Sequence, residues 1–536
     1  MKKIHSITKL ICIVVLLFGG ERRLPAQTEQ SASVPESPEV LFPTMVLEAD
    51  AREDLFFVPL PLFSEPQLEL PSPLVEVEPT LTFPPDFLSV SILSPEAAGT
   101  ARERTSLYTE GTLGVGTLAS LAGALSLFHR GESSKFNLKF SHQSRDGYQF
   151  RKLGNGYFDR QDLMVGEGAW FLSSRTELQL EGSIEEREIG LQGISPSYSN
   201  LYRFVDGKGA ITYHFSDDFR FSSELRVSYA SRLLTGSMPE DRSETLAKTF
   251  LRLEYGGERW LIALKGSLYG GAYSALSKEG FWVGEGTLEG EWNPMSLLSI
   301  GAGIGFVWVD QLEAPFQVEI RAKPQEDLIF TLQGKYTVDT ASYGNLWKEV
   351  GPVAQSETPI HPKTFSLGFR GELKGMENRA SFALQGEWQK RYSALRLLPY
   401  EVNNELFPLQ EASLTTYKVQ VEGAYIFFPG ILGSFKWIGL LGDRALLEKE
   451  HTLEGTIRFA PEKRSFGGTL SGTWSTGPGS DLPILTIGGY YRPRENVEVS
   501  LTLEDILSPY GKEDRVSVEP LITPGFRVLL KTTVTF

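Results

Sequence analysis

Beyond Arg104 the apolar residues of this chain recur at every second position, in stretches of about ten residues parted by turn-forming residues. In RTELQLEGSIE, Thr176, Leu178, Leu180, Gly182 and Ile184 fall on one face, opposite Arg175, Glu177, Gln179, Glu181, Ser183 and Glu185. TTYKVQVEGAYIF sets Tyr417, Val419, Val421, Gly423, Tyr425 and Phe427 against Lys418, Gln420 and Glu422. TFSLGFRGEL, NRASFALQGEW, TLEGTIRF and VEVSLTLE repeat the pattern. FRVLLKTTVTF ends it, with Phe526, Val528, Leu530, Val534 and Phe536 on one face and Arg527, Lys531, Thr533 and Thr535 on the other. A period of two is that of a β-strand. The pattern predicts 22 strands, the first over 106–115 and the last over 525–536.

The connections sort by parity. Those from even to odd strands are tight: SSR, SDD, GGE, NPM, PQED, KGMEN, PGI, PEK and REN. Most of those from odd to even strands are long, as at 144–159, 186–202, 231–244, 338–362, 390–411 and 506–524. A soluble sandwich or solenoid has no reason to sort its loops this way, whereas a membrane barrel has tight turns on one rim and long loops on the other. The predicted fold is all-β: a transmembrane antiparallel β-barrel over residues 105–536, with one strand face toward lipid and the other toward water. Trp260, Trp282, Trp292, Trp388, Tyr417 and Phe427, near strand ends, suit interfacial girdles. Glycine, 53 of 536 residues, suits a closely packed and tilted wall.

The opposite face of the same strands carries charge of both signs. Arg220, Glu224, Arg226, Lys265, Arg370, Glu372, Lys418, Glu422, Arg527 and Lys531 are the candidate lumen-lining residues, a set that permits pairing across the lumen and encodes no evident ion selectivity. Lys139, Glu177, Glu181, Glu285, Glu289, Lys335, Glu387, Glu454 and Arg458 fall on that face as well.

The N-terminus is written differently. MKKIHSITKLICIVVLLFGGERRLPAQ has a basic start, an apolar core too short to span a bilayer and a small residue, Ala26, at a plausible cleavage point. Residues 1–26 are therefore expected to be a secretory signal peptide, and the single cysteine, Cys12, leaves with it. From Gln27 to Thr100 the chain is proline-rich and acidic, with Arg52 its only basic residue. Stretches such as VPLPLFSEPQLELPSPLVEVEP cannot sustain a ladder or helix, because each proline removes a donor and fixes φ. Composition leaves two readings of this 27–104 arm open: a periplasmic linker, or an extended segment that threads along or into the barrel. The formal net charge of −15, more negative once the basic leader is gone, argues against nucleic acid as a partner.

The stretch LYTEGTLGVGTLASLAGALSLFHRGESSKFNLKFSHQSRDGY resembles the opening hairpins of TonB-dependent receptor barrels, with KFSHQSRDGY (Lys139 to Tyr148) matching the third strand and the start of its loop. It is most similar to the plugless, receptor-like type, in which a proline-rich lead-in precedes a glycine-rich first strand. The resemblance implies residence in the outer membrane of a diderm bacterium, after cleavage of the leader. It also implies recognition of Phe536, with Val534 before it, by the barrel-assembly machinery. Residues 27–104 depart from the family pattern, being too short and proline-rich for a globular plug. TMVLEADARED (Thr44 to Asp54) resembles the segment near a TonB box, though a chance match in an acidic linker is the simpler reading. An open barrel of this size leaks. The arm, the long loops or a partner is thus expected to occlude it.

Catalytic and cofactor signatures are not evident in the sequence. His129, His142, His214, His361 and His451 form no paired ligand spacing, and His142, near Ser141 and Ser144, falls on the lipid face. Gly114 to Gly116 belong to a hairpin rather than a nucleotide loop. No enzyme, cofactor or metal is expected. Two functions compete: a transporter or channel for an unidentified solute, and a non-transporting scaffold whose acidic arm, 27–104, recruits a periplasmic partner.

Overall fold

The computed structural model describes residues 106–536 except for parts of the connections, of which 149–155, 351–361 and 398–408 are the longest. The leader 1–26 and the arm 27–104 lie outside the described residues. The strands of the barrel are β1 (Ser106–Gly116), β2 (Ser120–Arg130), β3 (Ser134–Asp146), β4 (Phe158–Ser173), β5 (Thr176–Gly190) and β6 (Ser197–His214). Next come β7 (Phe219–Gly236), β8 (Glu240–Gly257), β9 (Trp260–Ser274), β10 (Lys278–Met295), β11 (Leu298–Trp308), β12 (Phe316–Gln325), β13 (Leu328–Val338) and β14 (Lys363–Gly375). The circuit is completed by β15 (Ala380–Leu397), β16 (Leu409–Phe428), β17 (Ile431–Gly442), β18 (His451–Phe459), β19 (Phe466–Ser475), β20 (Ile484–Arg494), β21 (Val497–Glu504) and β22 (Arg527–Thr535). Each pairs antiparallel with its sequence neighbours, and one further strand, Leu312–Glu313, adds a short pairing to β11.

The last strand meets the first. Glu110 through Gly116 pair with Thr535 down to Leu529, Thr112 Oγ1 lies 2.9 Å from Thr533 Oγ1, and Phe536 N–H donates to the Thr109 carbonyl at 2.7 Å. At Gly116 a Cβ would stand 2.2 Å from the Val528 carbonyl oxygen, so only glycine lets the two backbones approach here. Closure leaves no unpaired edge, which a bilayer would not tolerate.

Exposed apolar side chains alternate around the circuit: Leu113 and Val115 on β1, Leu225 and Val227 on β7, Leu264 and Leu268 on β9, Phe369 and Leu373 on β14, Leu530 on β22. They form the outer, lipid-facing band. At the tight-turn rim the rings of Tyr213, Phe215, Phe219, Tyr255 and Trp260 touch in succession across β6 to β9, with centroids 4.7 to 6.3 Å apart. Trp282 and Tyr417 are exposed nearer the loop rim. These are the two aromatic belts of a membrane barrel. Several outer-face glycines stand directly opposite an aromatic residue whose ring lies over them: Gly270 under Trp282, Gly286 under Phe306, Gly386 under Phe369 and Gly423 under Phe435. The glycine content thus makes room for rings on the lipid face.

The parity of connections holds: even-to-odd turns are as short as 174–175, 258–259 and 429–430, and the longest odd-to-even connections are 339–362 and 505–526. Several expected loops are largely strand, however. The 231–244 connection shrinks to 237–239, 186–202 to 191–196 and 390–411 to 398–408. Above the bilayer both strand faces meet water, so the apolar alternation fades while the hydrogen-bond ladder runs on. Connection 339–362 carries a helix, α1 (Tyr343–Val350), whose Tyr343 and Trp347 join a cluster of buried apolar side chains with Tyr202, Phe204 and Ala230.

Candidate functional site

The strand face opposite the lipid band is the inner face, and all ten candidate lumen-lining residues project from it. Arg220 pairs with Glu254 and Arg226 with Asp206 (3.2 Å); Glu224 lies 3.9 Å from Lys208, which also contacts Glu181 at 3.0 Å. Lys265 meets Glu289 across β9 and β10. Arg370 donates to Glu372 (2.7 Å) and Gln385 (3.2 Å) and reaches Glu422 on β16 (3.5 Å), while Glu422 also faces Lys436 (3.7 Å). Lys418 stands directly opposite Glu387. Arg527 makes two hydrogen bonds to Glu504, at 2.7 and 2.5 Å, and is only 1% exposed. Lys531 faces Gly114 of β1 and Ser500 of β21. Phe536, 76% exposed, and Val534 belong to the outer face at the tight-turn rim.

The ion pairs run along the wall, and the pairing across the lumen that mixed signs permit is not the arrangement among these residues. Strands about 4.8 Å apart and tilted by roughly 40° set the wall of such a barrel at a diameter of roughly 45 Å, far beyond a side chain's reach. Neighbouring strands, or the next but one, are within reach, and the ladder places opposite charges there. The result is a polar wall whose fixed charges are paired with near neighbours.

Two connections fold over this wall. Helix α1 lies on the inner face of β6 to β8: Tyr343 and Trp347 pack with Tyr202, Phe204 and Ala230, and Trp347 is 2% exposed. The Glu244 carboxylate of β8, 1% exposed, accepts the Ser342 hydroxyl (2.7 Å) and the N–H groups of Tyr343 (3.1 Å) and Gly344 (2.8 Å). It therefore caps the helix N-terminus, where an anion is favoured. Lys348 donates to Asp206 at 3.2 Å and sits 4.8 Å above the Phe204 ring, so Asp206 joins Arg226 of the wall to α1. The sequence predicts a loop over 338–362, with no helix in it. Signals of the helix were Ser342, whose hydroxyl accepts the Asn345 N–H (3.3 Å), and apolar residues at Tyr343, Leu346, Trp347 and Val350.

The second connection, 505–526, reaches across to the turn after β5. Gln192 exchanges two hydrogen bonds with the Ile522 backbone, at 3.0 and 2.9 Å, copying a peptide pair. Arg527 with Glu504 fixes the foot of this connection. Nearby at the loop rim, Arg145 binds Asp159, and burial, followed by the Asp159 charge, pushes the Tyr148 hydroxyl well above its usual range. Among the described residues no cluster of metal-ligating side chains occurs. His142, on the outer face, pairs with Asp162 (2.6 Å) and Ser144 (3.2 Å).

No protein-family model matches the sequence, and curated proteins gave no match either. Solved structures do match. The barrel superposes on the FrpB iron transporter of Neisseria meningitidis with a TM-score of 0.65 over 82% of each chain, at 9% identity. The fold is that of the TonB-dependent receptor barrels. The ferric enterobactin receptor PfeA aligns with a TM-score of 0.62 at 9% identity, over 82% of each chain. The copper transporter OprC aligns at 0.63 and 11% identity, over 82% of this chain and 81% of its own. At these identities the likeness is one of fold. With the lipid-facing band and its aromatic belts, this receptor-like barrel belongs to the outer membrane of a diderm bacterium.

Proposed function

We propose that the chain is an outer-membrane transporter of the TonB-dependent receptor-like type that lacks a standard plug and passes a solute through its barrel. The observation that carries this reading is the inner wall: in a closed barrel of this width it carries paired charges of both signs on strand after strand. Arg220, Glu224, Arg226, Lys265, Arg370, Glu372, Lys418, Glu422 and Lys531 line the route, with Arg527 buried behind it on Glu504, and their lateral pairing makes it a weakly selective path for charge. That proteins sharing the fold are an iron transporter, a ferric enterobactin receptor and a copper transporter supports transport as the activity class. At such low identity those names do not assign the cargo.

In this reading residues 1–26 are the cleaved leader, and the 27–104 arm occludes the barrel from the periplasmic side. Val534 and Phe536 present the signal taken by the barrel-assembly machinery. The test is solute uptake by proteoliposomes holding the full chain and a variant lacking residues 27–104. Uptake, increased on removal of the arm, is expected. A barrel sealed in both forms, whose arm instead captures a periplasmic protein, would replace transport with the scaffold role.

A further inference from the structure

We infer that Ser144, His142 and Asp162 form an ester-hydrolysing site on the outer face of the barrel, and that its substrate class is the acyl ester of membrane glycerolipids. The inference stands apart from the transport reading, because the site faces lipid and not the lumen. His142 and Ser144 are two residues apart on β3, so their side chains leave the same face, and Asp162 of β4 is the register partner of His142. The imidazole joins them: Nδ1 lies 2.6 Å from Asp162 Oδ1, and Nε2 lies 3.2 Å from Ser144 Oγ. With its Nδ1–H donated to the carboxylate, the ring presents the Nε2 lone pair to the serine hydroxyl. In this order a carboxylate orients a base and the base activates a nucleophile.

The surroundings suit a lipid ester. Arg160, the register partner of Ser144, donates to the other Asp162 oxygen at 3.0 Å and is more than half exposed. It fixes the carboxylate, and its remaining N–H groups are cationic donors opposite the serine for the oxyanion of an attacked ester. Two residues toward the membrane centre the outer face turns apolar, with exposed Phe140 opposite exposed Met164. The row of His142 and Asp162 continues instead into the charged Glu186 and Arg203. The three residues thus stand at the loop-side edge of the lipid band, at the depth of headgroups and ester bonds. On β2, Gly123 faces His142 between exposed Leu121 and Leu125, and a Cβ there would meet nothing nearer than 3.9 Å. This open apolar strip gives an acyl chain a path beside the ring. An ion pair at headgroup level is complete with Asp162 alone; the serine on the second nitrogen is what hydrolysis adds.

The reaction balances with water as the only co-reactant. Ser144 Oγ bonds to the ester carbonyl carbon as its proton passes to His142 Nε2. The bond from that carbon to the glycerol oxygen breaks, and the oxygen takes the proton. Water then attacks the acyl-serine, His142 takes its proton and returns it to Ser144, and a fatty acid leaves. Asp162 acts through His142 and is a positioning residue.

The experiment incubates the full chain in mixed micelles of detergent and diacylphosphatidylethanolamine and follows fatty-acid release. The same protein is treated with a serine-directed fluorophosphonate. Wild type is expected to release fatty acid and to carry the probe on Ser144. Ser144→Ala and His142→Asn, checked for a folded barrel by heat-modifiable gel mobility, are expected to lose roughly a thousandfold or more in rate. Asp162→Asn is expected to lower kcat with KM for the lipid little changed, which loss of a merely structural ion pair would not do. Folded wild type that releases no fatty acid and takes no probe would overturn the inference, as would release that survives in Ser144→Ala. Should the variants fail to fold, the position of the probe on the wild-type chain decides: Ser144 supports the site, and any other serine overturns it.

Discussion

The carboxylate of Glu244 on β8 accepts the N–H of Gly344 at 2.8 Å, joining positions 100 residues apart in the chain. Replacing Glu244 with alanine leaves the first amides of α1 without acceptors on a buried surface, a loss of ~1–3 kcal/mol in local stability. Amide exchange at Tyr343 and Gly344 is expected to speed by roughly tenfold to a hundredfold, with exchange in distant strands unchanged. Glutamine, which keeps the acceptor oxygen and loses the charge, is expected to fall between the two.

The Arg527–Glu504 pair gives a second expectation. Both side chains are buried at the foot of connection 505–526, and their two hydrogen bonds close on each other. Removing one partner strands the other charge in a dry site. Arg527→Ala or Glu504→Ala is expected to destabilise the barrel by roughly 3–5 kcal/mol, and the double replacement by Met and Leu to recover most of that loss. Urea unfolding from lipid, followed by tryptophan fluorescence, measures the cycle.

The two faces of one strand pairing are expected to respond differently to the same substitution. Leu530 and Leu501 are partners on the outer face, and Thr502 of β21 lies on the inner one. Leu530→Arg puts a charge in the lipid band and is expected to cost roughly 2–4 kcal/mol near the midplane. Thr502→Arg, on the inner face opposite Leu529, escapes the lipid penalty and is expected to lose less stability than Leu530→Arg. Equal losses at both sites would contradict the assignment of faces.

Glu313 supplies a pH dependence outside the membrane. It accepts from Lys363 (2.6 Å), Tyr336 (2.9 Å) and Gln311 (2.6 Å), bracing the foot of connection 339–362. The Lys363 hydrogen bond first, and then that of Tyr336, hold its carboxyl below the usual value of 4.5. A lowered folded-state pKa contributes stability that is complete above the ordinary carboxylate range and disappears as pH falls through the lowered value. Limited proteolysis of connection 339–362 is expected to accelerate only below about pH 4.5. In Glu313→Gln it is expected to lose that dependence.

The barrel was legible because lipid and water impose opposite demands on alternate residues. Leu178, Leu180 and Ile184 against Glu177, Gln179 and Glu181 show the strand and both of its faces in one line of sequence. Where water meets both faces the signal fails, which is why β7 and β8 extend to Gly236 and from Glu240 through residues read as loop. The inner-face charges were legible for the same reason of parity. Their partners were not, since Arg370 meeting Glu422 depends on three strands standing side by side, a matter of register. Helix α1 was written in a short stretch with a capping serine. Its seat on Glu244, far back in the chain, follows from closure of the barrel and from no local pattern.

The two faces of the wall and the inner ion pairs depend on β1 meeting β22 to close the barrel within a bilayer. Gel migration of the detergent-extracted outer-membrane protein, with and without boiling, tests this directly. A closed barrel resists the detergent when unheated and is expected to run at a different apparent mass from the boiled chain. Identical mobility before and after boiling would contradict the account.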